Sequence, residues 1–318
     1  MEGEREVEYH SKDFEWEELR EEVEKDPSLR HHLLPFDPPV PPSSPSPPPL
    51  LATDAWTSFY KRHFTGRFFK ERRYLLKEFP ELVNCGESCK VLEVGCGNGS
   101  TALPILRGKQ SIVIYACDCS AEALEIAKGM TTTVDGVSTK HRFYPFLHDI
   151  SVTCFPNWLF CNYCRKNSQT KLFNFPSVRE NKVEDLKDLS GICCCIGGVD
   201  FVTMIFTLSA VPFEKMPHVI AECWSILKPG CFLLFRDYGL YDLTMLRFPP
   251  IQKMGFREYM RSDGTLSYFF SLDVVRDLFC GAGFIELELE YCCVRSVNRR
   301  NGKDMRRVWV NGKFQKPM

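Results

Sequence analysis

Short apolar runs rich in β-branched residues alternate with amphipathic stretches through the middle of the chain. Runs of this length are typical of buried strands. The predicted strands are 90–94 (KVLEV), 111–117 (SIVIYAC), 142–147 (RFYPFL), 199–206 (VDFVTMIF) and 231–238 (CFLLFRDY). Ser120 is a suitable N-cap for a helix after the second run, and a helix from residue 212 is predicted to close at Pro229 and Gly230. This alternation predicts an α/β fold with a parallel sheet covered by helices on both faces.

The two ends of the chain differ from this α/β body. A helix over 271–281 and two antiparallel strands, FIELELEYCCV and RRVWVNGKF, are predicted to complete the body. Nine prolines between residues 35 and 49 indicate an extended linker. We therefore predict that 1–52 is an acidic, proline-rich arm, largely disordered, with a short helix near FEWEELREEVEK. The domain is predicted to span 53–318.

A long connection interrupts the domain at about 151–198, far more residues than two neighbouring elements usually need. It contains a C-x-x-C pair, Cys161 and Cys164, and the triplet Cys193–Cys195. Two thiolate pairs would suit a structural zinc ion, but the contiguous triplet lacks the usual spacing, so incidental thiols are the alternative. We predict no metal ligand among the functional residues.

Charge is distributed unevenly along the chain. Residues 1–30 hold 12 acids against 5 bases although the whole chain carries a net charge of −1, so the remainder is basic. The bases concentrate in 60–73 (YKRHFTGRFFKERR) and from Arg295 to Lys316. Such clusters neutralise nucleic-acid phosphates in some proteins and are simply solvated in others.

The location of the protein is predicted from what the sequence does not contain. Its apolar runs fall short of the roughly 18 residues that span a bilayer, and the acidic N-terminus differs from a signal peptide. We expect a protein of the cytoplasm, with the nucleus as a second location and no membrane partner. Its 16 cysteines are then expected to be reduced.

Three glycines, Gly95, Gly97 and Gly99, follow the first predicted strand in the sequence VLEVGCGNGS. Glycine allows positive φ angles and lets backbone N–H groups approach a ligand closely. Ser100 stands where a dinucleotide fingerprint has its third glycine, and the Gly-Lys-Ser/Thr ending of a phosphate-binding loop is missing. The loop is therefore either a different kind of nucleotide-binding turn or a structural turn.

Two acids after later strands favour the nucleotide-binding turn. Asp118 ends the second strand, about 20 residues after the glycine loop. An acid at this place can accept hydrogen bonds from both ribose hydroxyls. Asp149 follows the third strand and is expected to bind the adenine amine. A ligand with adenine and ribose but without pyrophosphate fits this pattern. We predict S-adenosylmethionine (SAM) as the cofactor.

Several longer motifs resemble a known family. They are W-x-x-F-Y-K-R from Trp56, FFKERR at 68–73, LEVGCGNG, YACD, IFTLSAV, FRDYGLYD-x-x-MLRF, DGT-x-SYFF and the closing KF-x-KP. Together they are similar to the tRNA 3-methylcytidine methyltransferases over residues 56–317, with an interruption at 150–198. The resemblance implies a class I SAM-dependent methyltransferase, EC class 2.1.1, with a Rossmann-like, mostly parallel seven-stranded sheet and helices on both faces.

The resemblance also implies which residues bind the cofactor and the tRNA, with Trp56 and Tyr60 folding over the cofactor. The expected cofactor residues are Trp56, Tyr60, Gly95, Gly97, Asp118, Asp149 and Ile205. The expected tRNA-binding residues are Phe69, Lys70, Arg72, Arg73, Tyr238, Arg247, Arg306 and Arg307. The implied target is position 32 in the anticodon loop of serine, threonine or arginine tRNAs. Relatives differ in whether a partner such as seryl-tRNA synthetase is needed.

The chemistry of cytosine limits what the protein must supply. N3 of neutral cytosine has a free lone pair, so direct in-line methyl transfer needs alignment more than a strong general base. The base must leave its stack and enter a pocket. Asp237 is the candidate to stabilise the positive charge of the product, and Arg236 to bind the carbonyl O2 or a phosphate. For both residues the alternative is an internal salt bridge that braces the pocket.

Two other functions stay open at this stage. A SAM-dependent methyltransferase of a protein or small molecule would share the cofactor site, although the basic segments argue against it. A catalytically silent tRNA-binding subunit would keep the fold. The presence of both Asp118 and Asp149 argues against this alternative.

Overall fold

Seven strands form one sheet in the computed structural model, which describes residues 12–36, 52–66, 68–134, 136–161, 163–165, 194–297 and 304–318. The strands are β1 (Lys90–Val94), β2 (Val113–Asp118), β3 (Phe143–Leu147), β4 (Val199–Ile205), β5 (Leu227–Tyr238), β6 (Ile285–Val297) and β7 (Asp304–Gln315). Their order is β3-β2-β1-β4-β5-β7-β6. The first five are mutually parallel, and β7 runs antiparallel to β5 and β6. This mostly parallel arrangement confirms the predicted fold class.

Helices pack against both faces of the sheet, and small sheets lie at its margins. The α-helices are Trp16–Lys25, Arg30–Leu33, Ala52–Arg62, Leu75–Glu78, Glu81–Asn84, Ala102–Gly108, Ala121–Thr131, Met216–Ile226, Leu243–Leu246 and Leu272–Gly281. The small sheets pair Thr133–Val134 with Val137–Ser138, and Lys253–Gly255 with Glu258–Met260 and Leu266–Tyr268. Ser120 caps its helix as predicted, because its Oγ accepts a hydrogen bond from the Ala123 N–H at 3.2 Å. None of the helices in the described ranges is both long and apolar enough to cross a bilayer.

The apolar core lies on both faces of the sheet because successive side chains of a strand point in opposite directions. On β5, Leu233 and Phe235 are buried in the cluster on one face, and Leu234 is buried in the cluster on the other. The strands therefore carry nearly continuous apolar runs, which is why their positions follow from the sequence alone.

The helix predicted to close at Pro229 and Gly230 ends earlier, at Ile226, and β5 begins at Leu227. The reason is pairing with the end of the chain. The Gly230 N–H donates to the Lys316 carbonyl, and the Lys316 N–H donates to the Cys231 carbonyl, both at 2.9 Å. These long-range hydrogen bonds draw the Pro-Gly segment into the sheet.

Within the predicted arm, residues 12–36 pack against the domain, and the short helix predicted near FEWEELREEVEK forms at Trp16–Lys25. Leu19 and Val23, four positions apart on the helix Trp16–Lys25, are buried against the domain. The Trp16 indole N–H donates to the Leu240 carbonyl at 3.0 Å, and its ring stacks on Tyr291 at 4.5 Å. Apolar positions every four residues give this acidic helix a buried face. The rest of the predicted arm, 1–11 and 37–51, lies outside the described residues.

Candidate active site

One cleft lies at the carboxyl ends of the parallel strands. Its empty volume, including space open to solvent, is about 1030 Å³. Each of the five parallel strands contributes at its end: Gly95, Asp118, Asp149, Ile205 and Tyr238 line the cleft. Because parallel strands end at the same edge, residues far apart in sequence meet there. The structure thereby brings together all seven predicted cofactor residues, since Trp56, Tyr60 and Gly97 also line the cleft.

The glycine loop forms a cradle of bare backbone in the cleft, with no room for side chains at Gly95 and Gly97. Gly95 and Gly97 have φ angles of +68° and +55°, a region that favours glycine. A Cβ on Gly95 would collide with the Thr207 side chain, and one on Gly97 would lie 2.6 Å from the Tyr60 hydroxyl. The glycines are therefore required both by backbone conformation and by close approach.

Two carboxylates give the cleft negative charge. Asp118 accepts hydrogen bonds from the backbone N–H groups of Gly97 at 2.9 Å and Ser120 at 3.0 Å. Burial raises its pKa to about 6, so it is mostly ionised at pH 7. Burial also raises the pKa of Asp149, but hydrogen bonds from Ser151 and Thr53 outweigh it and leave the pKa below its usual value. Both acids are therefore anionic near neutrality.

The segment before β1 covers the cleft. Trp56 and Tyr60 project from the helix Ala52–Arg62, and the Tyr60 side chain is buried against the neighbouring helix. The Asn98 side-chain amide donates to the carbonyls of Gly66 at 2.7 Å and Phe69 at 3.0 Å. These bonds tie the covering segment to the glycine loop, which keeps aromatic side chains over the cofactor cradle.

Aromatic and cationic side chains form the opposite wall. The Phe206 and Tyr238 ring centroids are 5.2 Å apart. The Arg72 guanidinium lies 5.3 Å from the Phe206 ring, and the Arg261 guanidinium lies 5.7 Å from the Tyr238 ring. Phe206 has a positive φ of 55°, a strained conformation that occurs at functional sites. Phe69 also lines this wall, which suits a flat, hydrogen-bonding base.

Comparisons with known proteins agree with this geometry. A methyltransferase-domain family model matches residues 60–288. Over 266 residues the chain is 36% identical to tRNA N(3)-cytidine methyltransferase METTL6 of Rattus norvegicus, covering 82% of this chain and 78% of the relative. Over 277 residues it is 35% identical to tRNA N(3)-methylcytidine methyltransferase Mettl2 of Drosophila melanogaster, covering 84% and 73%. The chain belongs to the tRNA N(3)-cytidine methyltransferase family.

The fold of this methyltransferase is shared with more distant enzymes. A SAM-dependent methyltransferase from Anabaena variabilis superposes with a TM-score of 0.54 at 13% identity, over 86% of this chain and 98% of the other. Similarity at that level concerns the fold alone. The family itself makes the protein an enzyme of EC class 2.1.1 whose cofactor is SAM.

Arg236 and Asp237, the predicted catalytic pair of this methyltransferase, point to opposite faces of β5. The buried Arg236 guanidinium forms an ion pair with Glu78 and lies between the rings of Tyr74 and Trp309, 4.8 and 4.4 Å from their centroids. This is the internal salt bridge weighed as the alternative to a catalytic role.

Asp237 lies behind the cleft wall. Its carboxylate accepts from the backbone N–H of Ser209 at 2.9 Å and from that of Tyr238 at 2.8 Å. Burial raises its pKa to about 6. Ser209 and Tyr238 both line the cleft, so Asp237 affects the wall through these two hydrogen-bond partners.

The cations predicted to bind tRNA fall into three groups. Arg72 lies in the cleft wall, whereas Lys70, Arg73 and Arg247 are exposed. Arg306 pairs with Glu22 at 2.6 Å, and Arg307 pairs with the buried Asp242 at 2.8 Å. The last two therefore have carboxylate partners within the protein, which the sequence did not indicate because both partners are distant in the chain.

The cleft residues that the sequence prediction missed include Asn98, Phe206, Arg261 and Ser267. A signal was present for each of them. Asn98 is in the glycine loop, Phe206 is in IFTLSAV, and the other two are in the polar and aromatic segment 259–270 that precedes the helix Leu272–Gly281. The motifs were found, but which side chain of each faces the cleft depends on the fold.

Proposed function

We propose that this protein methylates N3 of the cytidine at position 32 in the anticodon loop of serine, threonine or arginine tRNAs. The observation that supports the proposal best is the cleft itself, where a glycine cradle with two carboxylates faces a wall of aromatic and guanidinium groups. Membership of the tRNA N(3)-cytidine methyltransferase family supports the same reaction.

The cradle fits SAM. Gly95 and Gly97 line the cleft with bare backbone, so a ligand can approach the loop closely. Asp118 would hold the ribose hydroxyls. Asp149 would bind the adenine amine, because a carboxylate that accepts from Ser151 and Thr53 still has lone pairs to offer. When bound, SAM supplies a methyl group made electrophilic by the sulfonium.

The protein's residues position the base and exclude water. Phe69, Phe206 and Tyr238 offer aromatic faces on which an unstacked cytosine can lie. Arg72 and Arg261 offer donors for the carbonyl O2 or a flanking phosphate. Because N3 is itself a nucleophile, we assign no general base and attribute the rate to alignment within the cleft.

Asp237 and Arg236 are positioning residues in this proposal. Asp237 holds the backbone of Ser209 and Tyr238, and Arg236 braces β5 against Glu78. We propose the cytoplasm as the place of action, with the nucleus as a second location. Seryl-tRNA synthetase is the partner to test for presentation of the tRNA.

Methyl transfer from labelled SAM to a tRNA pool, with and without seryl-tRNA synthetase, tests the function. Nucleoside analysis should find labelled 3-methylcytidine, and tRNA carrying uridine at position 32 should stay unlabelled. Asp118→Ala is the inactive control. Label in protein or metabolites with none in tRNA would overturn the proposal, and salt-sensitive tRNA binding without turnover would indicate a silent binding subunit.

A further inference from the structure

Four cysteines from two separate segments meet at the opposite end of the sheet from the cleft. Cys161 and Cys164 belong to the segment after β3, and Cys194 and Cys195 immediately precede β4. Their four Sγ atoms all lie within 4.8 Å of one another. The Cys194 Sγ is 3.4 Å from that of Cys161 and 3.3 Å from that of Cys164.

The two measured distances and the upper limit of 4.8 Å lie on either side of the sulfur–sulfur distance in a tetrahedral metal site. With Zn–S bonds of about 2.3 Å, the sulfurs of such a site are about 3.8 Å apart, whereas a disulfide requires about 2.05 Å. We propose that Cys161, Cys164, Cys194 and Cys195 together bind one Zn²⁺ ion. The zinc alternative raised by the sequence thus acquires its second pair of ligands, although that pair is contiguous in the chain.

Backbone donors favour thiolates at the cluster. The Cys164 N–H donates to the Cys161 Sγ at 3.5 Å, and the Gly197 N–H donates to the Cys195 Sγ at 3.3 Å. Hydrogen bonds of this kind orient and stabilise the ligands of metal sites.

The backbone holds the two ligand pairs together independently of the sulfurs. The Ile196 N–H donates to the Trp158 carbonyl at 2.8 Å, and the Gly198 N–H donates to the Leu159 carbonyl at 2.9 Å. The Lys90 ammonium also donates to the Ile196 carbonyl, at 2.5 Å. Zinc would therefore bind a largely preformed site rather than assemble one.

The place of the cluster indicates a structural role. It lies at the amino end of β4, whereas the cleft lies at its carboxyl end, about 20 Å away along seven residues of strand. The four ligands also bracket residues 165–193 in the sequence. A zinc ion would tie together the two ends of this long connection and so reduce its closure entropy.

Metal content of the full-length protein, purified without chelators under reducing conditions, tests the site. Mass spectrometry of the eluted metal should find about one zinc per chain, and the Cys161→Ser/Cys194→Ser variant should lose nearly all of it. Cys154→Ser is the matched control, because Cys154 is an exposed thiol of the same connection outside the cluster, and it should keep the zinc.

Two measurements on the unmutated protein keep the test decisive if the variant misfolds. A mercurial should release the zinc as it reacts with the thiols of the cluster. Co²⁺ substitution should produce the absorption of a tetrahedral thiolate site. SAM affinity should stay unchanged in a folded variant, which separates this proposal from the proposed function. Negligible zinc, bound iron with sulfide, a disulfide within the cluster, or full zinc in the double variant would overturn it.

Discussion

At the scale of residues, the cleft places two carboxylates where a positively charged cofactor would bind, and their surroundings set different pKa values. Asp118 is fully buried and has a raised pKa, whereas Asp149 accepts several hydrogen bonds and has a lowered one. Of these two acids, Asp118 alone changes charge near pH 6; Asp237, behind the cleft wall, also has a pKa of about 6, so a variant of Asp118 is needed to assign the titration. This difference makes the cofactor role of Asp118 testable by pH.

SAM binding should weaken as the pH falls through 6, because protonation removes an acceptor that the ribose hydroxyls need. With a pKa of about 6 for Asp118, the Kd should rise about tenfold between pH 7 and pH 5. The Asp118→Asn variant should bind SAM weakly, with a Kd nearly independent of pH. Calorimetry over this range measures both, and an equally steep profile in the variant would exclude Asp118 as the titrating group.

Asp237→Asn should separate cofactor binding from turnover. The amide can accept from the Ser209 N–H, but its NH₂ group then faces the Tyr238 N–H, so the cleft wall shifts. We expect kcat to fall by about 10- to 100-fold while the Kd for SAM changes by less than about threefold. Asp273→Asn, at an exposed carboxylate, is the matched control. Near-normal turnover would remove Asp237 from the positioning of the base.

At the scale of elements, the two-residue period of β5 decides which residues reach the cleft. Tyr238 and Arg236 share one face of β5, and Asp237 points to the other. Of the three, Tyr238 lines the cleft because it ends the strand, whereas Arg236, two residues earlier, pairs with Glu78. The motif FRDYG predicted a functional strand end, but the direction of each side chain depends on the face that the sheet buries.

The helix Trp16–Lys25 forms where the sequence predicted a short helix, but its packing against the domain was not predicted. Its two buried apolar residues, Leu19 and Val23, join a cluster with Tyr241, Phe248 and Tyr259. Composition averages over the helix, whereas packing depends only on the face that meets the domain.

Leu19→Ala should loosen this helix. Removing a fully buried leucine side chain typically costs about 2–4 kcal/mol, so amide hydrogens of 16–25 should exchange faster by two orders of magnitude or so. Glu18→Ala, at the exposed neighbour, should change exchange little. If the unmutated helix already exchanged at the rate of an unstructured peptide, its packing against the domain would be excluded.

At the scale of the whole molecule, the acidic N-terminal segment and the basic C-terminal strands partly neutralise each other. Glu22 pairs with Arg306 at 2.6 Å. Beside the cleft, Lys70 is exposed, and Arg73 shares its partner Glu71 with Arg107, so this group keeps a net positive charge and offers the better candidates for phosphate contacts. Surface ion pairs of this kind contribute little stability but reduce the charge available to a ligand.

The double variant Lys70→Ala/Arg73→Ala should weaken tRNA binding by about tenfold near 0.1 M salt and reduce the slope of log K against log salt by about 1 to 2. The double variant Lys25→Ala/Arg276→Ala removes the same charge from helices away from the cleft wall and should change the affinity by less than about twofold. Filter binding over a salt series measures both. Equal losses in the two variants would indicate a general charge effect.

The sequence by itself determined the strands, the glycine loop and the acids that follow the strands. These depend on local backbone preference and apolar periodicity, and a parallel sheet brings strand ends to one edge whatever the loops between them. Only the tertiary structure decided that Arg236 pairs with Glu78, that Leu19 is buried and that Cys161 meets Cys194. Each of those contacts joins residues distant in the chain, and no local pattern records which distant surface a side chain will meet.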